Sequence, residues 1–254
     1  GIIHPGAQVV LSAQVPEAAE VLLRRVVEVG ATVAREGLEF GVVERLPAVG
    51  GQMVTLQGLA GTYDEMFLPL FGEHQAQNAA CAVAAVEAFL GGGESRQIDA
   101  DAVREGLAAA KSPGRLEVVR TSPTVVLDAG HNPHGMAATV RALADSFSFT
   151  RLVGVVAVLA DKDVRGMLEV LEPALTSIVV TTNSSPRALP VDDLQALAVE
   201  VFGEERVAAE DRLDDALDTA VQLAEDEAEY GGAGVLVTGS VVTVGEARTL
   251  LRIR

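Results

Sequence analysis

The sequence predicts an α/β protein in two parts, a mixed α/β segment followed by a mostly parallel sheet covered by helices. Three observations carry this prediction. Beyond a break at Ser112-Pro113-Gly114, short continuous apolar runs alternate five times with helical periods, the pattern of parallel strands buried on both faces. Before that break, strand-like pieces crowd together between helices without the same rhythm. The chain's 254 residues are 49% hydrophobic, enough for one large core or two modest ones and too apolar for a disordered chain.

In the first part, residues 9–12 form a short apolar run. A helical period follows over Pro16–Val29, with Val21, Leu22, Val26 and Val29 on one face and Gly30 as its stop. Strand-like pieces occupy 31–34, 40–43, 53–56 and 65–71. Residues 73–90 read as a nearly all-apolar helix, expected to be buried and to end at Gly91-Gly92-Gly93. Asp99 suits the N-cap of another helix reaching about Lys111. In the second part, strands at 125–127, 152–159, 178–181, 207–208 and 235–238 alternate with helices at 133–147, 164–175, 191–202, 212–229 and 244–251. Sheets of this kind bind ligands beyond the C-terminal ends of their strands.

Nineteen Lys and Arg against 36 Asp and Glu give a net charge of −17. Such a surface repels nucleic-acid backbones and anionic membranes, so neither is expected as a partner. Apolar runs such as 152–160 reach only half a membrane span. Cys81 is the single cysteine, so no internal disulfide or cysteine-based zinc site is open to it; a cytoplasmic, reducing environment is expected. The opening Gly1-Ile2-Ile3-His4-Pro5-Gly6 has neither an initiator Met nor a signal-peptide pattern, which suggests a piece of a longer chain. The two lysines, Lys111 and Lys162, do not follow a glycine, so G-x-x-x-x-G-K is absent; so are G-x-G-x-x-G and H-E-x-x-H. No metal site is expected within these residues.

Asp128-Ala129-Gly130-His131-Asn132-Pro133 follows the first parallel strand and opens a helix, whose free amides suit an anion. The plainer alternative is that Asp128 caps the turn and His131 or Asn132 caps the helix. Lys162, in Asp161-Lys162-Asp163, ends the next strand and is either a ligand or a solvated lysine. Thr238-Gly239-Ser240 ends the last one; Ser240 could donate to a carboxylate, or the segment is a plain turn. In the first part, His74, Gln75 and Asn78 open the apolar helix, where an Asn amide can pair with an adenine edge. Arg115, just past the break, presents a guanidinium fork suited to phosphate, or to an ordinary ion pair. Cys81 reads as a core residue.

Taken in order, His74-Gln75-x-x-Asn78, Pro113-Gly114-Arg115, Asp128-x-x-His131-Asn132-Pro133, Asp161-Lys162-Asp163 and Thr238-Gly239-Ser240 resemble the folylpolyglutamate synthase/dihydrofolate synthase family, relatives of the Mur ligases. One departure is Ala129-Gly130, where the family usually has Gly-Ala. The resemblance implies that residues 1–112 are a remnant of a central ATPase domain and 113–254 a Rossmann-like C-terminal domain. The family's phosphate loop, its magnesium ligands and most of its pterin site would then lie upstream of Gly1.

By the same resemblance the reaction is ATP-dependent amide formation. A folate or dihydropteroate carboxylate takes the γ-phosphoryl group to give an acyl phosphate, and the amine of L-glutamate displaces phosphate. Asn78 would hold adenine, Arg115 the phosphates and Asp128 the ribose hydroxyls, with His131 at the phosphate end as the catalytic candidate. Lys162 and Ser240 would hold the glutamate carboxylates. ATP and Mg2+ are the implied cofactors, and a monomer is expected. Two other readings remain open: a Mur-type ligase with another acceptor, and a non-catalytic module that binds a nucleotide or a partner.

Overall fold

A strand–helix–strand crossover opens the chain. β1 (Gln8–Leu11) and β2 (Thr32–Arg35) are parallel and joined by α1 (Pro16–Val29). Pro16 occupies the first turn, where helical amides have no intrahelical acceptor, and Gly30 ends the helix in left-handed backbone at φ +63. The computed structural model describes residues 1–91, 96–226 and 232–252. It divides the chain into two compact units, Gly1–Lys111 and Ser112–Arg254.

In the first unit, β3 (Gly41–Ala48), β4 (Gly51–Gln57) and β5 (Thr62–Leu68) form an antiparallel sheet beside α2 (Glu73–Gly91). Leu56, Tyr63, Met66 and Leu68 from the strands pack with Ala76, Ala80, Val83 and Ala84 from α2. Asp99 caps α3 (Ala100–Ala108) by accepting from the Asp101 and Ala102 amides.

The expected burial of α2 is corrected: Val86, Phe89 and Leu90 are exposed, Phe89 to 81%. An apolar helix is covered only where something lies against it, and here one side meets the sheet. Within the covered side, Glu87 is fully buried. It accepts from the Tyr63 hydroxyl at 2.7 Å, from the Leu59 amide, and from the Ala60 amide at 3.3 Å. Burial, with the Glu87 carboxylate next in weight, pushes the Tyr63 phenol up to about 12. Of the expected stop at 91–93, Gly92 and Gly93 lie outside the described residues.

The second unit contains β6 (Glu117–Thr121), β7 (Thr124–Leu127), α4 (Pro133–Ser146), β8 (Arg151–Val156), α5 (Val164–Leu171), β9 (Ser177–Val180), α6 (Val191–Phe202), β10 (Val207–Ala209), α7 (Leu213–Glu225), β11 (Ala233–Thr238) and α8 (Val241–Leu250). Its six strands run in the order β10-β9-β8-β11-β7-β6, all parallel except β6, which forms an antiparallel hairpin with β7. This is the expected α/β sheet with one edge strand more than the sequence predicts. Several boundaries also shift. β8 leaves the sheet at Val156, α5 ends at Leu171, and α8 begins at Val241 directly after Ser240. Of the helix expected over 212–229, residues 227–229 lie outside the described residues.

Alternation along the strands divides the core between the two faces. Val125, Leu127, Val153, Val155, Val179, Val235 and Val237 pack under α7 and α8, against Leu217, Ala220, Val244 and Ala247. On the other face, Met136 of α4 and Met167 and Leu168 of α5 are buried. Among the described residues, no helix is long and apolar enough to cross a membrane.

Replacing Glu87 by Gln sets an NH2 group against either the Leu59–Ala60 amides or the Tyr63 hydroxyl, whose second contact is the Ile98 amide. The substitution should cost about 1–3 kcal/mol. Chemical denaturation checks this, and an unchanged midpoint would contradict the account.

Candidate functional site

β11 lies between β7 and β8 in register, Val237 beside Leu127 and Thr238 beside Val156, so the three strands end together. The helices that follow them diverge: α4 and α5 pack with each other, while α8 packs with α7 on the opposite face. Neighbouring parallel strands whose helices leave to opposite sides open a crevice at their C-terminal ends, the place where such sheets bind ligands. Segments 128–133, 157–163 and 238–240 rim it.

Asp128 is buried, and its carboxylate joins three segments. Oδ2 accepts from the Leu116 amide at 3.1 Å, and Oδ1 accepts from the Gly130 amide at 2.9 Å and the Thr139 hydroxyl at 2.7 Å. Leu116 has left-handed backbone at φ +47, a conformation that costs a non-glycine residue about 1–3 kcal/mol and needs such anchoring. Ala129 N–H donates to Gly114 O at 2.8 Å, so Arg115 sits on a loop fixed to the end of β7. Its own side chain is exposed and has no ion-pair or hydrogen-bond partner among the described residues. An exposed, unneutralised guanidinium on a fixed loop suits a bidentate anion.

His131 is half-buried. Its Nδ1 lies 3.1 Å from Ala129 O; a carbonyl only accepts, so Nδ1 carries the proton and Nε2 is left for a second partner. Asn132 caps α4 by accepting from the Gly135 amide at 2.8 Å, leaving His131 without a capping role.

Gly239 adopts φ +109, and a Cβ there would lie 2.5 Å from Ala157 O. Its amide donates to Gly130 O at 3.2 Å, drawing the ends of β11 and β7 together. Ser240 is buried and caps α8 by accepting from the Val242 amide at 3.1 Å, which leaves its hydroxyl proton free to donate. Lys162 is half-buried, its Nζ 3.3 Å from Asp161 Oδ2, while Asp161 Oδ1 accepts from Arg187 at 2.7 Å. Asp163 caps α5 through the Gly166 amide at 3.0 Å. A Cβ on Gly166 would meet Asp163 Oδ2 at 2.5 Å and Pro133 Cγ at 3.0 Å, so the α5 N-terminus sits directly beside that of α4.

The second unit thus gathers Arg115, Asp128, His131, Lys162 and Ser240 on loops at one sheet edge. Asn78 belongs to the first unit. There it is exposed on α2 and donates to the buried Gln75 at 3.2 Å, which leaves its amide oxygen and one N–H open. His74 is half-buried, and Cys81, expected in the core, is only partly buried. Burial is the larger of two causes raising the Cys81 thiol, the Glu36 charge being the smaller. Among the described residues, no three His, Cys, Asp or Glu side chains are gathered to hold a metal. Sequence reasoning missed Thr139, Glu117, Arg187 and Arg248. Thr139 lies one turn beyond Gly135 on α4 and carried a weak signal as a polar residue on a buried face. No spacing pairs Glu117 with Arg248, 131 positions apart.

The second unit is a doubly wound α/β domain, with capped helix N-termini, the exposed Arg115 and Lys162 at the C-terminal edge of its sheet. The model of the Mur ligase glutamate ligase domain matches residues 114–241, and the chain belongs to that family. It is 52% identical to the Mycobacterium tuberculosis dihydrofolate synthase/folylpolyglutamate synthase, over 97% of this chain and 52% of the relative. Identity to the Lacticaseibacillus casei folylpolyglutamate synthase is 31%, over 99% of this chain and 55% of that one. The M. tuberculosis folylpolyglutamate synthase complexed with ADP and AMPPCP superposes with a TM-score of 0.93, at 52% identity, over 97% of this chain and 55% of that one. The Escherichia coli FolC complex with DHPP and ADP gives 0.79 at 25% identity, over 98% and 54%. The chain spans about half the length of the curated relatives it matches.

Two expectations follow from this geometry. Thr139→Val removes one of two donors from the buried Asp128 Oδ1 and should cost about 1–3 kcal/mol, read as a lower thermal midpoint. The Arg187 contact is the main cause, ahead of Lys162, holding Asp161 below the ordinary 3.8. Its ionised form is favoured in the folded chain, so the contribution is present above the ordinary value and fades as pH falls through the lowered one. Arg187→Ala should raise the Asp161 midpoint in a carboxylate NMR titration; a midpoint that stays put would contradict the pairing.

Proposed function

We propose that this chain is the glutamate-ligase part of an ATP-dependent ligase that joins L-glutamate to a folate or dihydropteroate carboxylate. The observation that carries the reading is Arg115, an unneutralised guanidinium on a loop fixed to Asp128, within the segment that matches the glutamate ligase domain. The names of the relatives, and the ADP, AMPPCP and DHPP in their structures, support the choice of substrates.

In this reading a carboxylate oxygen of the acceptor attacks the γ-phosphorus of ATP and ADP leaves, giving an acyl phosphate. The glutamate amine then attacks the acyl carbon, loses a proton, and phosphate departs with the bond to carbon broken. Both steps need alignment and neutralisation of spread negative charge more than a protein nucleophile. Arg115 supplies charge to the phosphates. His131, with Nδ1–H fixed on Ala129 O, presents Nε2 at the phosphate end. Asp128 has lone pairs left for a ribose hydroxyl, although three donors already occupy it. Asn78 offers an open amide edge suited to adenine. Lys162 and the Ser240 hydroxyl suit the glutamate carboxylates, Lys162 on leaving Asp161. When bound, Mg2+ would neutralise phosphate charge; among the described residues no three His, Cys, Asp or Glu side chains are gathered to hold it. The ligase is proposed to act as a monomer in the cytoplasm.

The test is ADP release by the protein expressed with whatever its gene encodes before Gly1. Release should require ATP, L-glutamate and an acceptor together, and comparing dihydropteroate with a reduced folate identifies the preferred one. Arg115→Ala should raise the KM for ATP about tenfold to a hundredfold, the worth of a lost charge-assisted hydrogen bond. No glutamate-dependent release with either acceptor would overturn the reading.

A further inference from the structure

Arg115 is flanked by two residues in left-handed backbone, Gly114 at φ +70 and Leu116 at φ +47. Each of their amides is held by a different carboxylate. Leu116 N–H donates to Asp128 Oδ2 at 3.1 Å, whereas Gly114 N–H donates to Glu117 Oε2 at 2.8 Å. Glu117 in turn faces Arg248 on α8. Nη2 donates to Oε1 at 3.2 Å, and Nε lies 3.0 Å from Oε2 as an ion-pair contact. The two side chains are exposed to only 22% and 26%, so solvent screens this pair less than the chain's outer ion pairs. The loop has no slack at this point, since a Cβ on Gly114 would come within 2.7 Å of Val244 Cγ1, also on α8.

Glu117 is also the acidic residue nearest to Arg115 in sequence. A free carboxylate there would be the natural partner for the Arg115 guanidinium. Arg248 and the Gly114 amide occupy it instead. We infer that Glu117, engaged by Arg248, is a positioning residue for Arg115: it fixes the Gly114 side of the loop and leaves the guanidinium unneutralised for an anion. This rests on the reading of Arg115 as a ligand of the ATP phosphates. A carboxylate is required because both contacts are donors. In Glu117→Gln the amide NH2 must face one of them, and that contact is lost.

The experiment measures ATP KM and kcat for Glu117→Gln, Arg115→Ala and the double variant, in the protein expressed with whatever its gene encodes before Gly1. Glu117→Gln should raise the KM about tenfold, with kcat held within about twofold, and should add nothing to Arg115→Ala. An unchanged KM, or an effect that multiplies with that of Arg115→Ala, would overturn the inference while leaving the role of Arg115 standing. If Arg115→Ala itself leaves the KM unchanged, the reading of Arg115 falls and this inference with it. Should Glu117→Gln fail to fold, Arg248→Met severs the same pair, and the same comparison is made with it. Amide exchange at Gly114 gives a local readout. It should quicken in the folded variant, with the amides of β7 unaffected; an unchanged Gly114 rate would also overturn the inference.

Discussion

The second unit depends on where the Asp128 carboxylate spends its lone pairs. A buried carboxylate is costly unless donors surround it, and here the donors come from three places: the loop before β6, the turn after β7 and the second turn of α4. One side chain therefore sets the height at which the β6–β7 hairpin meets the sheet edge, the direction in which α4 leaves, and the strained conformation of Leu116. The sheet supplies a rigid floor, but Asp128 makes the loops above it a defined surface.

Helix caps continue the same logic around the crevice. Asn132, Asp163 and Ser240 each take up an orphan amide at the start of the helix that follows their strand. These helices carry the positive ends of their dipoles toward one rim. Against a net charge of −17, these helix N-termini, Lys162 and Arg115 supply local donors beside Asp128, Asp161 and Asp163. Most of the other arginines are paired with carboxylates, such as Arg35 with Glu39, Arg206 with Glu172 and Arg212 with Asp214. An acidic protein can hold an anion only through such a focus.

The parallel sheet was legible because its strands are apolar on both faces: runs such as Val125-Val126-Leu127 and Ile178-Val179-Val180 stand out from any helical period. β6 was not, since Glu117-Val118-Val119-Arg120-Thr121 is a short edge strand with one face in solvent, and its signal merges with the break before it. The exposed face of α2 was not legible for the opposite reason; composition marks a helix as apolar but does not say what lies against it. At the candidate site, Asp128, His131 and Asn132 were found through their place after a strand and before a helix proline. Arg115 stood out beside Pro113-Gly114. The residues that hold these in place were hidden, because the contact between Glu117 and Arg248 joins strand to helix across most of the unit and leaves no periodic trace.

Gly239 shows what this closeness means for the family's freedom to change. Surface loops ordinarily absorb insertions, with little effect on the elements they connect. Here the Gly239 amide is tied to Gly130, and a Cβ at Gly239 would run into Ala157 O, so the loops after β7, β8 and β11 are packed against one another. A residue inserted in any of them would displace the other two. Length variation among relatives should therefore collect at the far end of the sheet and in the connections to β10, and the rim should evolve by substitution alone.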